Sequence, residues 1–120
     1  MTYKIENIKE NDVICVRYSC GVTMNERMAA VHEVCTKKDR FKPLRLLIDV
    51  RQVKQKMNKL EQEVFGKYLA SVEEFKTAMV AVLSEASCNP NTLINKVSVQ
   101  AGYNLMEFNS EQDALVWLKQ

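Results

Sequence analysis

An α/β fold with one mostly parallel five-stranded sheet is what this sequence predicts, and three observations predict it. Two runs, Leu44 to Val50 and Thr77 to Leu83, are short and almost continuously apolar, as strands covered on both faces are. Between and after them apolar residues recur at helical spacing, so strands and helices take turns along the chain. Helix-start signals stand ahead of each helical stretch, at Thr23, Asn58, Asn89 and Ser110. The chain has 120 residues, enough for one domain, 1–120, that buries about two thirds of the surface its unfolded form exposes. With 47% hydrophobic and 27% charged residues and only three Gly and two Pro, it is expected to fold throughout.

Tyr3 to Ile8 and Val13 to Cys20 form a hairpin around the polar turn Lys9, Glu10, Asn11, Asp12. In the second strand both alternating sets are apolar apart from Arg17 and Ser19, which places it inward of the first. Thr23 followed by Glu26 is a capping box. Met24, Met28, Val31 and Cys35 supply that helix with an apolar stripe, and the basic run Lys37, Lys38, Arg40 suits the negative end of its dipole. Leu44 to Val50, after Pro43, reads as a central parallel strand. Asn58 with Glu61 starts the next helix, whose buried stripe is expected to be Leu60, Val64, Tyr68, Leu69 and Val72. Gly66 inside it costs about 1 kcal/mol relative to alanine and so marks a close approach to the sheet. Thr77 to Leu83 is a further buried strand. Asn89 caps a helix with Pro90 in its first position, and that helix carries Leu93, Ile94 and Val97 and ends at Gly102. Asn104 to Phe108 is the last strand. Ser110 caps a final helix packed down by Ala114, Leu115, Trp117 and Leu118. The order is ββαβαβαβα, with the first strand antiparallel at an edge and the other four parallel.

This topology gathers three loops at the carboxyl ends of the strands: Gly21 and Val22, Arg51 to Met57, and Ser84 to Asn89. A binding crevice is expected among them. Charge points the same way. Residues 37 to 59 hold nine basic and two acidic residues, a local +7, while the remainder holds eight basic against thirteen acidic, or −5. Such a molecule is electrically polar and can steer an anionic partner. The candidate binding residues are accordingly Arg51, Lys54 and Lys56 on one loop and Ser84, Ser87 and Cys88 on the other. Cys88, at the expected helix start, is on paper the most reactive thiol.

Other chemistries find little support. A catalytic thiol needs a base, and the single histidine, His32, lies beside an apolar helix stripe with no nucleophile placed near it. No catalytic residue is assigned. Cysteines 15, 20, 35 and 88 lack metal-site spacing and read as reduced, buried thiols, so no metal is expected. No GxGxxG, GxxxxGK[ST] or GxSxG occurs, and no cofactor is expected. Nucleic acid is disfavoured because the basic segment holds one aromatic, Phe41, and the sheet offers no open stacking face. The longest apolar run, Ala78 to Leu83, cannot span a bilayer, and no export signal is visible, so a cytoplasmic protein without an integral membrane segment is expected. The first strand leaves an edge for a homodimer, against which Lys4 and Lys9 work.

The leading hairpin, the strand end Leu47, Ile48, Asp49, Val50, Arg51, the second apolar strand, and the closing Phe108 with Ala114, Leu115, Trp117, Leu118 together resemble the SpoIIAA-like family. That family belongs with the STAS domains (sulphate transporter and anti-sigma factor antagonist), whose fold is similar to Sec14-type lipid-binding domains. The resemblance covers most of the chain and implies a non-enzymatic binding module. In the anti-sigma factor antagonists a serine at the start of the helix after the central strand is phosphorylated and switches partner binding. Here no Ser or Thr occurs from Lys37 through Ala70, so that switch has no counterpart, and Arg51 to Lys59 supplies positive charge instead. Two readings follow: an interaction module docking an acidic protein partner, or a carrier or sensor of a small anionic or amphipathic ligand. An enclosed apolar pocket beneath the loops favours the carrier, and a flat rim favours the module.

Overall fold

Alternating apolar residues and right-handed crossovers produce nine regular elements in the expected order, in a computed structural model that describes residues 2–8, 12–37 and 43–120. They are β1 (Tyr3–Ile8), β2 (Val13–Tyr18), α1 (Met24–Lys37), β3 (Arg45–Asp49), α2 (Lys59–Ser71), β4 (Met79–Leu83), α3 (Thr92–Gln100), β5 (Leu105–Phe108) and α4 (Glu111–Leu118), with a short 3-10 turn at Glu73–Phe75. The expected turn residues Lys9, Glu10 and Asn11, and Lys38, Arg40, Phe41 and Lys42 of the basic segment, lie outside the described residues.

The sheet runs β1-β2-β3-β4-β5, antiparallel between the first two strands and parallel thereafter. Because each successive strand is added on the same side, every right-handed crossover passes over the same face. Helices α1, α2 and α3 therefore share one face and make the larger core, with Val16, Tyr18, Leu46, Val80 and Val82 beneath them. The intervening strand residues, Val13, Cys15, Leu47, Ala81 and Leu83, face the other way and are covered by Ala114 and Leu118 of α4. Burial pushes the Cys15 thiol up to about 12.

The same consecutive order has a consequence for function. A crevice at the carboxyl edge arises where the strand order reverses and neighbouring helices part to opposite faces. This sheet never reverses, so the crevice expected among the three loops has no topological origin.

Both capping boxes form. Thr23 Oγ1 accepts from Glu26 N at 3.2 Å while Glu26 Oε1 accepts from Thr23 N at 3.0 Å. Asn58 and Glu61 do the same at 2.8 and 3.0 Å. Gly102 takes φ +102° after α3, the backbone state for which glycine is suited.

Four local expectations are corrected. Strand β2 ends at Tyr18 rather than Cys20. In α2 the buried residues are Phe65 and Gly66, with Tyr68, Leu69 and Val72 half-buried, while Leu60 and Val64 stay 68% and 47% exposed. Gly66 does mark a close approach, but to a helix: a Cβ there would meet the Ile94 carbonyl oxygen and Val97 Cβ of α3, each at 2.9 Å. Helix α3 begins at Thr92 with Asn91 as its N-cap, two residues later than expected, because residues 85 to 88 close a tight turn first.

Candidate functional site

The carboxyl edge of the sheet holds two charged assemblies, one on each face. On the α4 face, Asp49 at the end of β3 is buried between two arginines. Arg51 Nε and Nη2 donate to Asp49 Oδ1 and Oδ2 at 3.0 and 2.8 Å, and the Arg51 amide donates to Oδ1 at 3.0 Å. Arg17 Nη1 donates to Asp49 Oδ2 at 2.7 Å and to Glu111 Oε1 at 3.0 Å. Arg51 Nη2 reaches the same Glu111 oxygen at 3.3 Å, which ties the first turn of α4 to the sheet. Burial alone would raise the Asp49 carboxyl, but the hydrogen bonds from Arg51 and Arg17 outweigh it and hold the group below the usual carboxylate range. With Glu6 Oε1 also 3.6 Å from Arg17 Nε, two guanidiniums thus meet three carboxylates, and the charge of Arg51 is answered within the molecule.

That placement separates the six residues picked from sequence. Arg51 belongs to the Asp49 and Glu111 network. Lys54 and Lys56 are exposed on the loop between β3 and α2. Ser84 is buried at the end of β4, where its amide donates to Phe108 O at 3.0 Å and its carbonyl accepts from Asn109 at 3.1 Å. Ser87 is exposed, and Cys88 is exposed in the tight turn, three residues short of the α3 N-cap. No shared site unites them among the described residues. Cys20 and Cys88 are exposed rather than buried, whereas Cys15 is buried and Cys35 half-buried. His32 lies exposed on α1. No cluster of His, Cys, Asp and Glu among the described residues has the make-up of a metal site.

The other assembly, on the three-helix face, was not anticipated from sequence. Arg27 in the first turns of α1 is 1% exposed, one of the largest fully buried side chains in the domain. It lies over the Tyr18 ring at 5.2 Å, and its Nη1 donates to Asn91 Oδ1 at 2.9 Å. Its Nε and Nη2 have no hydrogen-bond partner. No carboxylate pairs with it among the described residues, and burial lowers its basicity. The arrangement is electrostatically uncompensated in a second way. Arg27 lies in the first turns of α1 and bonds the N-cap residue of α3, so two positive helix ends add to its own charge. Asn91, of a residue type that ordinarily caps a helix with its side chain, makes no such cap here and serves Arg27 instead.

Arg27, Asn91 and Asn95 line one side of a cavity of about 30 Å³ between the helices and the sheet. The rest of the lining is Tyr18, Tyr103 and apolar side chains, among them Val16, Val31, Leu46, Phe65 and Val82. Asn95 Nδ2 donates to Glu107 Oε2 of β5 at 2.8 Å, leaving its buried Oδ1 without a partner. Glu107, which also accepts from Asn89, bonds the asparagines and not Arg27. The cavity has room for a few water-sized groups.

A signal for this site did exist in the sequence. Arg27, Ala30, Val31 and Val34 recur at i, i+3, i+4, i+7, as do Asn91, Ile94, Asn95 and Ser98, and these are the buried faces of α1 and α3. A purely apolar template passes over both. No helix among the described residues is long and apolar enough to cross a membrane. Compared with protein-family profiles, with curated proteins and with solved structures, the chain matches none.

Proposed function

We propose that this domain is a non-enzymatic, STAS-like binding module of the carrier or sensor kind, which holds a small anionic ligand in the cavity between its three-helix layer and its sheet. One observation carries the reading: Arg27 is buried to 1% beside an apolar cavity, with two guanidinium nitrogens unpartnered. An isolated buried cation costs several kcal/mol. Proteins keep such groups where function gives them an opposite charge, and an anion inside the cavity supplies it. The order of elements and the Leu47 to Arg51 strand end, which resemble the SpoIIAA-like family, support a binding role over catalysis. The cavity's size favours a small ligand over a long acyl chain.

The test is a thermal-shift screen of small anions against wild type and the R27M variant, with native mass spectrometry on the hits. A ligand at a hundred times its Kd stabilises by about 2.7 kcal/mol, roughly 10 °C in a domain of this size. At least one anion is expected to raise the wild-type Tm by such an amount and to leave R27M unmoved. A screen in which none does so refutes the reading.

Docking of an acidic protein partner is a second reading, favoured by one feature. Lys54, Lys56 and Lys59 are exposed directly ahead of Leu60 and Val64, the exposed apolar pair on α2. Charge and apolar surface adjoin there as they do at protein interfaces. Loss of a captured partner in a K54E/K56E double variant, with ligand binding intact, would assign that surface a role of its own.

A further inference from the structure

Strand β1 lies at an edge of the sheet and is paired on one side only, to β2. The ladder itself tells which of its backbone groups point outward. Residues opposite one another in an antiparallel pair alternate between exchanging both hydrogen bonds and exchanging none. Ser19 N donates to Thr2 O at 2.8 Å, and Thr2 stands one step before the Tyr3 and Tyr18 pair. Lys4, Glu6 and Ile8 are therefore the residues bonded to β2, and the amides and carbonyls of Tyr3, Ile5 and Asn7 point away from the sheet. No backbone partner among the described residues takes them up. Side chains divide in the same rhythm. Tyr3 and Ile5 pack half-buried against the larger core, while Glu6 reaches Arg17 on the α4 face, which Lys4 shares. A strand with a free ladder and a half-buried apolar flank is a template for another strand.

We infer that β1 pairs antiparallel with β1 of a second copy of this chain, about a two-fold axis through Ile5, so that one sheet runs continuously across both copies. Charge complementarity selects both the occupant and the register. With Ile5 opposite its own counterpart, Tyr3 faces Asn7 of the second copy, and all three outward residues of each strand exchange both backbone bonds. Lys4 then stands opposite Glu6 of the second copy and Glu6 opposite its Lys4, the self-complementarity that a two-fold interface requires. A slip of two residues in one direction sets Lys4 against Lys4, and in the other sets Glu6 against Glu6. Like charges directly opposite are destabilising, most so at the closely spaced pairs without backbone bonds, which these are. Within one chain Lys4 and Glu6 form an exposed pair at 3.7 Å, which contributes little and is readily exchanged for the partners across the axis. Lys4 thus admits one register of the edge and rejects its neighbours. The opposite edge has no such match: β5, Leu105–Phe108, carries one charge, Glu107, and Asn89 and Asn95 already hold it.

Sedimentation equilibrium of the whole protein, at concentrations reaching about 1 mM where even a weak interface associates, tests the inference with K4E, E6K and K4E/E6K as variants. Wild type is expected to show a reversible equilibrium between monomer and dimer. K4E sets carboxylates opposite one another and E6K sets ammoniums opposite one another, so each is expected to weaken the dimer about tenfold or more. K4E/E6K exchanges the charges and is expected to dimerise as wild type does. An equimolar mixture of K4E and E6K is expected to form the heterodimer, because their strands complement each other. A variant that fails only because its own fold is damaged, for instance through the lost contact between Glu6 and Arg17, is not rescued by mixing. A wild type that stays monomeric throughout overturns the inference. So does a dimer that neither single variant weakens, which must lie on another surface, and so does a loss that the mixture fails to restore.

Discussion

Replacing Arg27 by methionine is the sharpest test, because the two ways of reading that residue predict opposite signs. Methionine keeps an unbranched chain of similar reach and removes the charge. Against the variant stand the lost bond to Asn91 Oδ1, which leaves a buried acceptor unpaired at about 1 to 3 kcal/mol, and the contact with the Tyr18 ring, about 1 to 2 kcal/mol when desolvated. In its favour stands relief of the desolvation penalty of a buried cation with no carboxylate partner among the described residues, several kcal/mol. That relief matches or exceeds the two losses together, so R27M should range from no change to a gain of about 2 kcal/mol, or up to about 8 °C in Tm. An arginine removed from a compensated buried pair would instead cost about 3 to 5 kcal/mol. Urea unfolding at neutral pH on dialysed protein, with the m-value checked for constancy, measures the difference. A loss of more than about 2 kcal/mol would mean that Arg27 is structurally compensated, and would remove the foundation of the proposed site.

Three further outcomes follow from the same geometry. G66A should destabilise by about 1 to 3 kcal/mol in chemical unfolding, despite alanine's better helix propensity, because the new Cβ meets the backbone oxygen of Ile94 at 2.9 Å; a gain in stability would show that α2 and α3 part easily. D49N should cost about 2 kcal/mol at pH 7. The folded carboxyl titrates below its unfolded value of about 3.9, so its contribution is full above that pH and is lost as pH falls through the folded value; wild-type and D49N stabilities should therefore converge in acid. A constant offset down to pH 2 would contradict the ion-pair account. K54E/K56E should leave stability within about 0.5 kcal/mol, since both lysines are exposed, whereas R51E should not, because it sets a third carboxylate against Asp49 and Glu111; equal melting curves for all three proteins would argue against the network.

The contrast between Arg51 and Arg27 says most about what could be read from the chain. Arg51 looked like a free rim cation because a basic run in sequence carries no information about which acids arrive from elsewhere. Asp49 is two residues away, but Glu111 is brought by the last helix across the sheet. Nothing in the chain singles out Arg27 beside the stripe of Met24, Met28, Val31 and Cys35, since an arginine in a helix is usually outside. Its helical spacing to Ala30, Val31 and Val34 was visible, yet it is buried among residues distant in sequence, the Tyr18 ring of β2 and Asn91 ahead of α3.

Local order along the chain was enough to set the alternation of elements, the two capping boxes, the doubly covered strands β2, β3 and β4, and the single domain. Each of these rests on short-range periodicity or on a cap that closes within three residues, so the information is contiguous. Three-dimensional packing had to settle that three helices share one face, that Gly66 meets α3 rather than the sheet, that Arg51 is neutralised, and that Arg27 and Asn95 meet at one cavity. Those outcomes depend on contacts between elements tens of residues apart, where the burial of a polar side chain is set by what packs over it and not by its neighbours in sequence.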